Sequence, residues 1–216
     1  MPLPAEDKPN VTDLEKALVT LSEQAPEGGL LLDLGCGQNR LDGFIGIDSH
    51  PADDQTMLGD VSCDVYIADS KGLVPNNPLS GKLADNSVSM IYSSHFMEHV
   101  YKDEWQHLWK DLYRICKPGA IVVTVFPYGN SVGAFQDPTH QQFLFPETFL
   151  YFDRDWRREV SMDHGYLADV HFKMIVAPWY AWDEDFVGAS DHAKEYAIKH
   201  TFNAVREAVI FMKCIK

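Results

Sequence analysis

Residues Leu30-Leu31-Leu32-Asp33-Leu34-Gly35-Cys36-Gly37 constrain the fold more than any other stretch of the chain. The leucine run reads as a strand buried on both faces, because it is almost continuously apolar rather than alternating. Gly35 and Gly37 then let the backbone turn sharply and bring a ligand close with no Cβ in the way. Asp33 places a carboxylate at the carboxyl end of that strand, the edge at which open α/β sheets bind their ligands. Alone, a G-x-G turn is an ordinary structural feature; its surroundings give it meaning. Phe44-Ile45-Gly46-Ile47 ends in Asp48, and a third apolar segment, residues 64–68, ends in Asp69. Three strands tipped with acids predict one acidic rim along one crevice.

The spacing narrows what can bind there. A dinucleotide fingerprint needs a third glycine and a helix N-terminus aimed at a pyrophosphate. Here Arg40 stands at the third glycine position, and about nine residues separate the first two strands, too few for a full crossover helix. The first helix is therefore expected to be shortened almost to a loop. A cofactor without phosphate, with an amino-acid end and an adenosine end, suits such a rim, and S-adenosylmethionine (SAM) is that molecule.

Leu31-Leu32-Asp33-Leu34-Gly35-Cys36-Gly37 resembles the first motif of class I SAM-dependent methyltransferases. Residues 83–95 with Glu98-His99 resemble the fourth strand and its flanks. Residues 112–120, ending in Lys117-Pro118-Gly119-Ala120, resemble the turn before the fifth. The likeness covers about residues 30–126 in the family's order and is specific to the superfamily, not to a substrate. It departs where the family's third glycine is Asn39, the non-glycine residue that best tolerates positive φ. The resemblance implies an α/β, Rossmann-like, doubly wound seven-stranded sheet with an antiparallel last strand. It also implies a cofactor set. Asp33, Gly35, Cys36, Gly37, Asn39 and Arg40 would surround the methionine end, with Ser94 and His95 bordering it after the fourth strand. Asp48, followed by Ser49, would accept from the ribose hydroxyls, and Asp69 and Ser70 would meet the adenine.

At 216 residues and 45% hydrophobic, the chain has material for one domain, read as residues 11–216 behind a flexible lead of residues 1–10. No apolar run approaches 18 residues, so no membrane helix is expected. The formal net charge of −14 argues against bulk nucleic-acid binding, and the cluster Arg154, Arg157 and Arg158 is interrupted by acids. Four cysteines with no C-x-x-C suit free thiols and a cytoplasmic setting.

Along the chain, residues 11–25, 101–116 and 191–202 read as helices. The middle one carries a core stripe of Trp105, Leu108, Trp109, Leu112 and Cys116. Residues 88–92 and 120–126 read as the fourth and fifth strands, 170–177 and 207–215 as the last pair, and 71–82 as loop. Residues 127–146 form a long glycine- and proline-bearing segment that leaves the fifth strand at the cofactor edge, and long loops of that kind carry function. It is expected to hold a small-molecule acceptor together with the aromatics Phe143 to Phe152. His140 is the candidate general base, Asp137 its orienting partner and Tyr128 the reserve. Asp137 and His140 as ligands of a divalent cation is an alternative.

A zinc hydrolase is a rival class, since His95-Phe96-Met97-Glu98-His99 spells H-x-x-E-H. That motif needs both histidines on one helical face, whereas His95 directly follows a strand, so no metal is assigned. A SAM-binding module, or a SAM user that transfers no methyl group, is the remaining alternative on the same fold. Oligomeric state is not legible.

Overall fold

The structure, a computed structural model, describes residues 11–37, 40–48, 68–69, 72–73, 83–162, 165–167 and 169–216. Helix α1 (Val11–Gln24) leads into β1 (Leu30–Leu34), and β2 (Ile45–Ile47) follows with no helix among the described residues between them. β5 (Val88–Ser94), α2 (Trp105–Ile115) and β6 (Cys116–Pro127) complete a βαβ crossover. The chain then passes through α3 (Val132–Gln136), a 3₁₀ turn (Pro146–Phe152) and α4 (Arg154–Glu159). It returns through β7 (Phe172–Met174), β8 (Trp179–Trp182), α5 (Asp191–His200) and β9 (Val205–Cys214).

The main sheet has seven strands, with β2, β1, β5 and β6 parallel and β9 antiparallel beside β6. The far edge of β9 is shared: β7 pairs with its carboxyl half and β8 with its amino half. Pro178, which has no N–H for a ladder, lies between the two. The seventh strand is thus Trp179–Trp182, an element the sequence reading did not single out. Of the expected third strand, residues 64–67 lie outside the described residues; Ala68 and Asp69 form β3, which pairs antiparallel with β4 (Gly72–Leu73) in a two-stranded ribbon.

Both faces of the sheet are covered, and β6 shows how. Val122 and Phe126 face a cluster containing Leu32, Leu34 and Ile91, over which α2 lays Leu108, Trp109, Leu112 and Ile115. Ile121, Val123 and Val125, the alternate residues, face Met90, Tyr92 and Phe211, and α1 covers that side with Leu14, Leu18 and Leu21. Trp109 stacks on Phe152 with ring centroids 4.0 Å apart and meets Phe149 edge-on at 5.8 Å. Phe149 and Phe152 are therefore core residues, which corrects their expected place on the acceptor wall. No helix among the described residues is long and apolar enough to cross a membrane.

Candidate active site

The glycine turn after β1 is built by backbone need and by contact. Gly35 and Gly37 have φ of +68° and +49°, the left-handed region that side chains disfavour. A Cβ on Gly35 would also lie 2.7 Å from Phe96, whereas one on Gly37 would meet nothing within 4 Å. The Gly35 amide donates to the Ile47 carbonyl at 2.8 Å, and the Gly37 amide donates to Asp48 Oδ2 at 2.8 Å. Asp48 thus holds the turn as well as standing at the end of β2. Gly46 lets Cys36 and Arg40 lie against β2: a Cβ there would sit 2.7 Å from Cys36 Sγ and 2.9 Å from Arg40 Cδ.

Asp33 is buried, and its Oδ2 accepts the Leu41 amide at 2.9 Å. Burial pushes its carboxyl up to about 6, against the pull of the Leu41 amide and the Arg40 charge. Burial, with Asp33 and Asp48 nearby, pushes the Cys36 thiol up to about 11, so it is a neutral thiol rather than a nucleophile at neutral pH. Open space over Gly37, an acidic rim and no phosphate-binding helix end among residues 40–44 fit a cationic amino-acid end and a ribose diol rather than a pyrophosphate. Asn39, Ser49 and Ser70 lie outside the described residues, and of Asp69 only its place in β3 is described.

The second half of the site begins where β5 ends. The His95 amide still donates to the Val125 carbonyl at 3.0 Å, but its φ of +53° turns the chain out of the sheet. The imidazole lands between two acids, with Nε2 3.2 Å from Glu207 Oε1 and Nδ1 3.3 Å from Glu98 Oε1. Glu207, then Glu98, push it up to about 10, so His95 is an imidazolium at neutral pH. Ser94 precedes it at the end of β5.

A cavity of about 460 Å³ opens there, lined by His95, Glu98, His99, Pro127, Val132, Gly133, Gln136, Asp137, His140, Asn203, Arg206 and Glu207. The segment expected to be a loop folds part of its length into α3. Buried Ser131 caps that helix by accepting the Ala134 amide at 3.2 Å. The Ala134 carbonyl in turn accepts His140 Nδ1–H at 2.9 Å, which aims the imidazole. Asp137 Oδ2 lies 3.9 Å from His140 Nε2, and bonds from Thr139 hold the Asp137 carboxyl below the usual range.

His95, expected beside the methionine end of the cofactor, thus lines one cavity with Asp137 and His140, the residues expected at the acceptor. Tyr128, expected there as the reserve base, is instead buried edge-on to Phe145 at 5.1 Å and is not on the cavity wall. Burial pushes its phenol pKa up, a further reason to set it aside as a base. Phe96, Arg206 and Glu207 were missed. Glu207 had one available signal: an acid one residue before the apolar run of a strand whose start faces the end of β6, Pro127 opposite Glu207.

Residues 32–124 match the profile of a family described as a methyltransferase domain. No curated protein sequence matches the chain significantly. Among solved structures, a SAM-dependent methyltransferase from Archaeoglobus fulgidus superposes with a TM-score of 0.53 at 18% identity, covering 94% of each chain. The [4+2]-cyclase SpnF superposes with a TM-score of 0.50 at 14% identity, over 94% of this chain and 82% of its own. Likeness at these identities is likeness of fold. Taken with the matched profile, the glycine turn and the acid-tipped strands, it shows that residues 32–124 are similar to a methyltransferase domain and that the chain has the fold of SAM-dependent methyltransferases, with SAM as the cofactor these findings support.

Proposed function

We propose that residues 11–216 act as one unit that methylates an oxygen or nitrogen of a small molecule seated in the cavity beyond β5 and β6. The observation that carries this reading is the junction of two adjacent residues. Phe96 packs on Gly35 of the cofactor turn, while His95 lines the cavity, so one step of chain joins the two halves. Bound SAM supplies an electrophilic methyl carbon whose bond to sulfur breaks as the bond to the acceptor forms, leaving S-adenosylhomocysteine. The chain contributes alignment, through the walls of the cavity, and a place for the acceptor's proton. His140 is assigned that proton: its Nδ1–H is committed to Ala134, which leaves Nε2 as the basic atom, and the Asp137 carboxylate favours the imidazolium that results.

Among the cofactor residues, Asp33, Cys36, Arg40 and the glycines are assigned to the methionine end with Ser94 and His95. Asp48 and Ser49 are assigned to the ribose, and Asp69 and Ser70 to the adenine. The acidic surface, at a net charge of −14, argues against a large polyanionic acceptor. Four cysteines outside any C-x-x-C suit a reducing, cytoplasmic setting.

The test is transfer of label from methyl-labelled SAM to a metabolite extract. The reading expects label in the small-molecule fraction and a loss of about 10²–10⁴-fold for His140→Ala with cofactor affinity retained. Binding of SAM with no label leaving it would overturn methyl transfer in favour of a non-methylating SAM user. Label found only in macromolecules would overturn the small acceptor.

A further inference from the structure

Three metal-ligating side chains from two separate segments converge on the wall of the cavity. Glu98 and His99 belong to the 3₁₀ turn Met97–His99, and His140 follows α3. One ligand atom from each lies within 4.8 Å of the other two. The His99 and His140 rings meet edge-on with centroids 4.8 Å apart. The segments are tied by backbone, since the amides of Gln141 and Gln142 both donate to the Glu98 carbonyl, at 2.7 and 3.0 Å.

The hydrogen bonds fix both tautomers. The Ala134 carbonyl only accepts, so His140 carries its proton on Nδ1. The Thr139 hydroxyl donates its one proton to Asp137 Oδ1 at 2.7 Å. Its lone pair therefore accepts from His99 Nδ1–H at 3.1 Å. Both of these hydrogen bonds are made by Nδ1, so neither uses the Nε2 of its ring. Glu98 is 1% exposed; its Oε1 faces the His95 imidazolium at 3.3 Å, and its Oε2 has no hydrogen-bond donor among the described residues. A buried carboxylate oxygen left without a donor is costly, and a cation held jointly with the two imidazoles would satisfy it.

We propose that Glu98, His99 and His140 form a binding site for a first-row divalent transition-metal ion of the zinc type. Two imidazoles and one carboxylate are the donor set of such ions and leave a position open, whereas calcium and magnesium favour oxygen alone. Ala134 orients one imidazole and the Asp137–Thr139 pair the other, as the outer partners of metal-bound histidines do. The site rests on the methyl-transfer reading only for its use: there the ion would hold the acceptor's nucleophilic atom and ease loss of its proton, and the general-base role proposed for His140 belongs to the metal-free chain.

The test reads metal binding without cofactor or acceptor, so its failure is separate from failure of methyl transfer. The full chain, stripped with a chelator, is titrated with zinc chloride by calorimetry and with cobalt(II) by visible absorption. The expected result is one equivalent of zinc and a cobalt spectrum of low coordination number, with affinity falling at least about 100-fold in Glu98→Gln and His140→Gln. Thr139→Val, at an exposed side chain, should weaken binding about 10–100-fold with the stoichiometry kept, and it keeps the test open if a ligand variant misfolds. No stoichiometric uptake by the parent would overturn the site. So would unchanged affinity in Thr139→Val and the ligand variants, or loss of zinc only in His171→Gln, which removes the separate Asp153–Asp155–His171 cluster.

Discussion

Asp48, at the end of β2, accepts the Gly37 amide at 2.8 Å, so the acid assigned to the ribose also fastens the turn assigned to the methionine end. The two tasks can be separated by substitution. Asp48→Asn keeps an oxygen for the Gly37 amide and loses the charge, whereas Asp48→Ala loses both. A charge-assisted hydrogen bond contributes roughly 1.5–3 kcal/mol. Calorimetry with S-adenosylhomocysteine should therefore show about 10–100-fold weaker binding for Asp48→Asn, and a greater loss for Asp48→Ala. Affinity equal to the parent in both would remove the ribose assignment.

Gly35 and Gly37 share the left-handed backbone and differ in surroundings, which gives opposite expectations for alanine. Gly35→Ala meets Phe96 at 2.7 Å in addition to its φ strain, while Gly37→Ala meets only the strain. The φ term is roughly 1–2 kcal/mol for either. Thermal unfolding should rank Gly35→Ala clearly below Gly37→Ala in stability, and cofactor titration should show Gly37→Ala weakened although its fold holds. Equal melting temperatures would contradict the contact with Phe96.

Asp33 makes stability depend on pH in a defined window. Its folded carboxyl is raised to about 6 from 3.8, chiefly by burial, so between those values the folded chain binds more protons than the unfolded one. Stability from this group is fully present below the unfolded value and is lost as the pH rises through about 6. Asp33→Asn, which can still accept the Leu41 amide, should stabilise the cofactor-free protein by about 1–2 kcal/mol at pH 7.5 and give no gain near pH 4. Denaturant titrations at the two pH values read this directly, and a pH-independent difference would contradict a buried, proton-linked carboxyl.

The core offers a plainer check. Trp109 is fully buried between α2 and the Phe149 and Phe152 rings. Trp109→Ala should lower stability by about 3–5 kcal/mol. A loss below about 1 kcal/mol would mean the aromatic cluster is not the packed core described.

What was legible in the sequence was local. β1, its glycine turn and the acids at Asp33 and Asp48 follow from one strand–turn pattern, and the α2 stripe follows from helical spacing. What was not legible depends on pairing between distant segments. Glu207 reaches His95 only because β9 lies antiparallel beside β6, and Phe96 reaches Gly35 only because β5 lies beside β1. Phe149 and Phe152 were read as an acceptor wall, although their three-residue spacing after Pro146 is that of a turn with one inward face, and that face meets Trp109. The H-x-x-E-H letters do not form the helical motif they spell, and what brings Glu98 and His99 beside another histidine is the tertiary fold. His95 leaves the strand at positive φ to pair with acids, and the third member of the cluster is His140, 41 residues beyond His99.

A crystal structure of the full chain with S-adenosylhomocysteine tests the central claim most directly. The account predicts the amino-acid end over Gly35 to Gly37, the ribose on Asp48, and the sulfur directed toward the cavity that His95 and His140 line. Ligand bound away from the β1 turn, or bound there with its sulfur turned away from that cavity, would contradict it.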